Sequence, residues 1–363
     1  MNKTQLLPTS DNVSARQIAF FCAFVLPVYK LLELPSLLAR FAEGDLLLPA
    51  LIQFLLQALV LSALLYVASQ SNKTILERLQ ARLGKWINLV YAVYGIVFLM
   101  TAVLPLLDLE KFVYAVFYDT SPTLFSFAVF FVFSAFLCTK GLQGLGRVGD
   151  LSVFLFPFPL LALIVMSLVE ADISNLLPIF ERPLNDSLSA IRYTTPHFID
   201  ALLLLPMIAC LRFKKGDNLK IGVGYGVGAL FSLLFFAVFY GVYSTIALRK
   251  HYAFAKIAQY FPVLSVVGRI DLIFVYMLCI VLFFYVATPL RHCVDFASRT
   301  CNIKGKAGTS FIINLSAFVF TLFCNKYYDR IYALFGNYLF PIFWVFTLLP
   351  LLLLLLKKEK NGA

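Results

Sequence analysis

The chain reads as an all-α integral membrane protein of ten transmembrane helices, and three observations predict it. Hydrophobic residues make up 61% of its 363 residues and charged residues only 13%, whereas soluble domains carry about a quarter charged. Ten apolar runs reach spanning length, roughly 16–39, 46–69, 86–107, 122–139, 149–169, 196–212, 220–247, 266–290, 309–325 and 335–356. Each comes close to the ~20 residues, at ~1.5 Å apiece, that cross the hydrocarbon of a bilayer. The basic residues also sort between alternate connections. With the N-terminus in the cytoplasm, 19 of the 30 Lys and Arg fall on the inside, so the positive-inside rule puts both termini in the cytoplasm after an even number of spans.

The segment before Arg16 is short and polar, and no small-residue cleavage site follows the first run, so that run is read as a retained helix. The longest polar connection, 170–193, has under thirty residues, so one membrane domain fills 1–363. One connection opposes the charge rule: 248–269 carries Arg249, Lys250, Lys256 and Arg269. Its HYAFAKIAQYFPVLSVVG pattern suits a surface-lying amphipathic hairpin. The net charge of +11 is explained by short cytoplasmic loops beside anionic lipid headgroups, which removes the case for nucleic acid.

The first run, RQIAFFCAFVLPVYKLLELPSLLAR (16–40), is unlike a plain anchor. Pro27 removes a backbone donor and disfavours helix at Leu26. Lys30 and Glu33 then put two ionisable groups three residues apart on one face. An intramembrane charge costs at least ~2.5–3.5 kcal/mol on insertion scales, so such groups usually face protein or a hydrated cavity. The sixth run, PHFIDALLLLPMIACLR, is short, with Pro206 in its middle and Asp200 near its outer end. Ten spans divide into five and five, repeat one about 16–169 and repeat two about 196–356. Interrupted helices in corresponding positions of two halves point to a binding site at an inverted-repeat interface.

The remaining motifs carry little chemistry. GVGYGVG, Gly222 to Gly228, opens a membrane helix without a preceding strand, and its spacings of four suit close helix packing. Gly141, Gly144, Gly146 and Gly149 shape the turn into the fifth span. The seven cysteines are scattered, with no CxxC or Cys/His spacing, so neither a disulfide framework nor a zinc site is expected. No HExxH and no phosphate loop occurs, and enzymatic function has no residues to stand on.

Five stretches carry a family resemblance. VSARQIAFF opens the first span with Ser-x-x-Gln, SPTLFSF (Ser121–Phe127) starts the fourth, and KGLQGLGRVGDL, with Gly141 and Arg147, steps into the fifth. LLPIFERPLNDSLSA precedes the sixth, and VVGRIDLIFVYML, with Arg269 and Asp271, opens the eighth. In this order the chain resembles the B subunits of bacterial spore-germination nutrient receptors, in the amino acid–polyamine–organocation transporter superfamily. The resemblance implies a LeuT-like 5+5 inverted repeat with discontinuous helices 1 and 6, an amino-acid-like ligand, and the spore inner membrane. It also implies two partners, an A-type membrane subunit and a C-type lipoprotein. The family usually has glycine at the first break, where bare N–H groups receive a carboxylate; FVLPVYKLLELP has none.

The expected substrate site gathers Leu26, Pro27, Lys30, Glu33, Tyr91, Tyr94, Asp200, Pro206 and Tyr276, the tyrosines because their helices line the central site in LeuT-like folds. Lys30 would hold a carboxylate and Glu33 an ammonium or a coupling proton. Alternatively the two neutralise each other, with Glu33 snorkelling toward Arg40. Asp200 would meet the ligand amine or gate the outer vestibule, or else be hydrated or paired with His197. Arg269 and Asp271 form an outer gate or a structural ion pair. No cofactor or metal is expected beyond a coupling H+ or Na+. Three functions stand: a germinant-receptor subunit, a stand-alone H+- or Na+-coupled amino acid transporter, in which Glu33 or Asp200 carries the proton, or a scaffold that binds no small molecule.

Overall fold

The computed structural model describes residues 13–71, 73–117, 123–177, 183–260, 271–303, 305–335, 338 and 340–355. Arg269 lies outside them, and so does the side chain of Asp271. Among the described residues the regular structure is helical.

The chain starts with α1 (Ala15–Phe20), closed by a capping box in which Ser14 and Gln17 exchange backbone bonds. A π-helical turn, Phe21–Val25, leads into α2 (Leu26–Lys30). The helix stops at Leu31–Glu33 and resumes as α3 (Leu34–Ala42). The interruption therefore follows Lys30, not Pro27. Pro27 sits in the first turn of α2, where its missing N–H does little harm. Next come α4 (Leu47–Ser69), α5 (Ile75–Leu83), α6 (Ile87–Phe117), α7 (Thr123–Thr139), α8 (Leu142–Leu155) and α9 (Pro157–Leu168). The third apolar run was expected to end at 107, but its helix continues for ten residues and takes Asp108 inside.

The second half holds α10 (Leu184–Thr194), α11 (Asp200–Cys210), α12 (Asp217–Tyr243), α13 (Ala253–Tyr260), α14 (Asp271–Thr300), α15 (Lys306–Cys324), α16 (Tyr328–Leu334) and α17 (Phe340–Leu355). The polar stretch before the sixth run is thus no mere connection. Residues 184–197 form a helical arm that meets α11 at a 42° bend. The bend falls at Phe198–Ile199, so Asp200 lies at the joint and Pro206 inside a continuous helix. Of the expected surface hairpin, the described part forms a 3-10 segment (Ser244–Arg249) and α13.

Among the described residues six helical segments are long and apolar enough to cross a membrane, and the bent pair, taken as one span, makes a seventh. The chain is a multi-pass membrane protein. One segment, Leu34–Ser69, has 36 residues, about 54 Å of helix at 1.5 Å per residue and too long for one crossing. It is divided at Glu43, whose φ of 45° turns the chain between α3 and α4.

The broken first helix lies at the centre. Leu26, Val28, Tyr29 and Lys30 are all buried. Glycines let its neighbours close on it. A Cβ at Gly224 would stand 2.4 Å from the Ala19 carbonyl, and one at Gly228 would stand 2.5 Å from that of Cys22 and 2.9 Å from the Pro27 ring. On α8, Gly149 would meet the Gln17 carbonyl at 2.6 Å. Of the two glycine pairs expected on α12, only Gly224/Gly228 is a packing pair, since Gly222 and Gly226 face open space. Around this core α14 packs along α6, α15 along α7, and α10 against α3.

Arg291, which follows the eighth apolar run and is one of the 19 basic residues assigned to the inside, is instead fully buried in α14, paired with Asp295 at 2.7 Å. It has no vote on orientation.

Candidate functional site

The two interruptions face each other. Lys30 ends α2 and Asp200 begins α11, so each helix end carries the charge its dipole favours: a cation at the C-terminus, an anion at the N-terminus. Lys30 Nζ stands 2.6 Å from Asp200 Oδ1, both side chains 1% exposed. Tyr225 Oη of α12 donates to Asp200 Oδ2 at 3.0 Å. The ammonium also lies over the rings of Phe198 and Phe54, at 5.2 and 5.8 Å, which adds cation–π attraction in a dry site.

Broken helices leave backbone groups without intrahelical partners, and buried ones must be satisfied. Here the neighbours supply the partners. Gln57 of α4 spans the second break: its Nε2 donates to the Phe198 carbonyl at 2.7 Å and its Oε1 accepts from Ala201 N at 3.1 Å. One turn earlier, Gln53 donates to Thr194 Oγ1 at 2.7 Å. At the first break the Leu32 carbonyl accepts from Ala253 N at 2.7 Å.

A second buried cluster lies beside the first break. Asp108 accepts from Tyr29 at 2.6 Å and from Tyr328 at 2.7 Å. The ring of Tyr29 is sandwiched between His197 and Tyr285, with centroids 5.1 and 4.9 Å away. Both His197 ring nitrogens and the Tyr285 hydroxyl are buried without a hydrogen-bond partner among the described residues. Lys111 Nζ sits 3.2 Å from the Tyr328 ring centroid. Beyond this cluster opens a cavity of about 420 Å³, bordered by Glu33, Arg40, Arg192, Tyr193, Tyr328 and Tyr332.

Several expected assignments change. Lys30 neither neutralises Glu33 nor waits for a carboxylate, because Asp200 holds it. Glu33 faces the cavity instead. Asp200 pairs with Lys30 rather than His197, which stacks on Tyr29. Leu26 and Pro27 are buried packing residues against α12. Tyr91, Tyr94 and Pro206 do meet, but around a separate apolar cavity of about 20 Å³ with Phe296 and Pro350, and Tyr94 donates to the Phe346 carbonyl at 2.7 Å. Tyr276 is 50% exposed on the outside of the bundle, whereas Tyr285, further along α14, reaches the cluster.

Sequence reading missed Tyr29, Gln57, Asp108, Tyr225 and Tyr328. Gln53 and Gln57 gave a usable signal: two amides four residues apart in an otherwise apolar run fall on one helix face. Asp108 was hidden by ending its span one residue too soon.

A family model described as "Spore germination protein" matches residues 15–330. No curated protein matches the chain by sequence. Among solved structures, MhsT in complex with L-phenylalanine aligns with a TM-score of 0.66 at 12% identity, over 92% of this chain and 88% of that one. A variant of the Eremococcus coleocola manganese transporter aligns at 0.57 and 13% identity, over 97% and 79%. The same transporter in complex with an aromatic bis-isothiourea substituted compound gives 0.56 at 15%, over 97% and 78%. At such identities the likeness concerns fold alone, and the fold is that of the LeuT-type transporters.

Proposed function

The chain belongs to the spore germination protein family, and from that premise we propose that it is the membrane subunit of a spore germinant receptor, binding a small amino-acid-like nutrient and signalling germination. Ten crossings arranged as two inverted repeats of five would place the interruptions at Leu31–Glu33 and Phe198–Ile199 opposite each other near mid-membrane. Both termini would face the cytoplasm from the spore inner membrane. An A-type membrane subunit and a C-type lipoprotein would complete the complex. The permease family and the transporter-type fold support this reading, and the L-phenylalanine bound to MhsT supports an amino acid as ligand.

The observation that carries it is the Lys30–Asp200 bond, which ties one broken helix to the other. A ligand shifts an equilibrium only by its differential affinity for two states. In this mechanism the nutrient favours one arrangement of the two broken helices, and the ion pair with its Tyr225 support resists or releases that motion. The experiment is a melting-temperature screen of purified protein against the common amino acids, since a ligand specific for the folded state raises stability by mass action. Stabilisation by one or a few of them is expected; none across the set removes the reading.

The rival is a stand-alone H+- or Na+-coupled permease, favoured by the manganese transporter among the neighbours. Accumulation of labelled amino acid in proteoliposomes would establish transport. Saturable binding without accumulation would establish sensing.

A further inference from the structure

The cavity of about 420 Å³ where α3, α10 and α16 converge is large enough for a small metabolite. Glu33 lines it and is only 9% exposed. The hydrogen bonds Glu33 receives among the described residues, from Ser36 Oγ and the Leu37 N–H, both go to its backbone carbonyl and leave the carboxylate without a donor. A carboxylate so nearly buried is stabilised either by a cation or by taking up a proton. Lys30, three residues earlier, is held by Asp200, so the cations that act on Glu33 are Lys111, whose ammonium rests on the Tyr328 ring, and Arg40.

Arg40 lies on the same helix at the exposed end of the cavity. Seven residues separate it from Glu33, about 10 Å of axial rise. Helical side chains lean toward the N-terminus, so a long arginine reaches back toward the glutamate. Tyr193, Tyr328 and Tyr332 wall the space between. The cavity thus carries charges of both signs, Glu33 and Asp329 against Arg40 and Arg192, between aromatic sides. A simple amine would meet the arginine and a simple acid the glutamate, whereas a molecule with both charges is complementary at both ends.

We propose that this cavity seats the ligand, and that the ligand is a zwitterionic amino acid with an aromatic side chain, its ammonium on Glu33 and its carboxylate on Arg40. The inference rests on the nutrient-binding reading above. It also gives the glycine-free break a consequence: with the Leu32 carbonyl bonded to Ala253 and Lys30 occupied, recognition of the carboxylate moves outward to an arginine.

The test is equilibrium binding of labelled L-phenylalanine to the purified full chain in detergent, with phenethylamine and 3-phenylpropionate as probes bearing one charge each. L-Phenylalanine should saturate, and each probe should bind at least about tenfold more weakly, as expected for losing one charge-assisted hydrogen bond. Glu33→Gln and Arg40→Gln should each weaken L-phenylalanine by a similar factor, with Arg40→Lys recovering part of the loss. Arg40→Gln should bind phenethylamine at least as tightly as the parent, and Glu33→Gln should bind 3-phenylpropionate at least as tightly, two readouts that misfolding could not reproduce. Binding of L-phenylalanine that ignores both substitutions but is lost in Tyr285→Phe overturns this seat while the nutrient-binding reading survives. Phenethylamine binding as tightly as the amino acid overturns the ligand class. Failure of every common amino acid to bind overturns both.

Discussion

The ammonium of Lys30 lies 2.6 Å from the carboxylate of Asp200, joining two helix ends that are 170 residues apart in sequence, with both side chains out of contact with solvent. Removing one partner of a buried pair strands the other charge, at a cost of ~3–5 kcal/mol, while replacing both can be close to neutral. Lys30→Met and Asp200→Asn should therefore each lower the melting temperature strongly, and the double variant should recover most of the loss. A double variant no more stable than the worse single one would contradict the pairing. Tyr225→Phe should cost less, about 1.5–3 kcal/mol, for one hydrogen bond to a charged group.

The second prediction concerns α12. Gly228→Ala places a methyl 2.5 Å from the Cys22 carbonyl, and overpacking of this kind costs ~1–3 kcal/mol. Gly226→Ala, with nothing near it, should be neutral or stabilising by up to ~1 kcal/mol through helix propensity. Melting curves of the two variants check the contrast, and equal effects would refute it.

Gln57 serves both sides of the second interruption through one side chain. Gln57→Leu keeps the volume and leaves a buried carbonyl and a buried N–H without partners, each worth ~1–3 kcal/mol. Gln57→Glu retains an acceptor for Ala201 N and should fall between leucine and the parent. If Gln57→Leu melts with the parent, the backbone at the break has other partners.

A pH dependence follows from His251 on the cavity border. Burial, reinforced by the positive charges of Arg40 and Lys111, holds its pKa below the usual histidine value of 6.5. Between that lowered pKa and 6.5 the folded chain binds fewer protons than the unfolded one, so this contribution to stability is present above ~6.5 and declines as pH falls. The melting temperature should drop on acidification from neutral pH, with a smaller drop in His251→Gln. Superposable curves for the two proteins would refute the assignment.

Membrane residence, the vicinity of both interruptions, and Lys30 and Asp200 as out-of-place charges were legible in the sequence, because an ionisable group in an apolar run is anomalous wherever it points. Which faces meet was not. In a span whose lipid side and protein side are both apolar, the pattern carries almost no directional signal, since lipid tails are as apolar as leucine. Thus Tyr276 and Tyr285 looked equivalent, and only packing puts the first at the periphery and the second against Tyr29. Polar composition likewise disguised 184–197 as a loop, although contact with α3, including the Phe41–Tyr193 stack at 4.6 Å, holds it as a helical arm. The choice of Asp200 over Glu33 as the partner of Lys30 was also tertiary. Local spacing brought the glutamate within one turn, but the meeting of two oppositely polarised helix ends gave the lysine a better place to be charged.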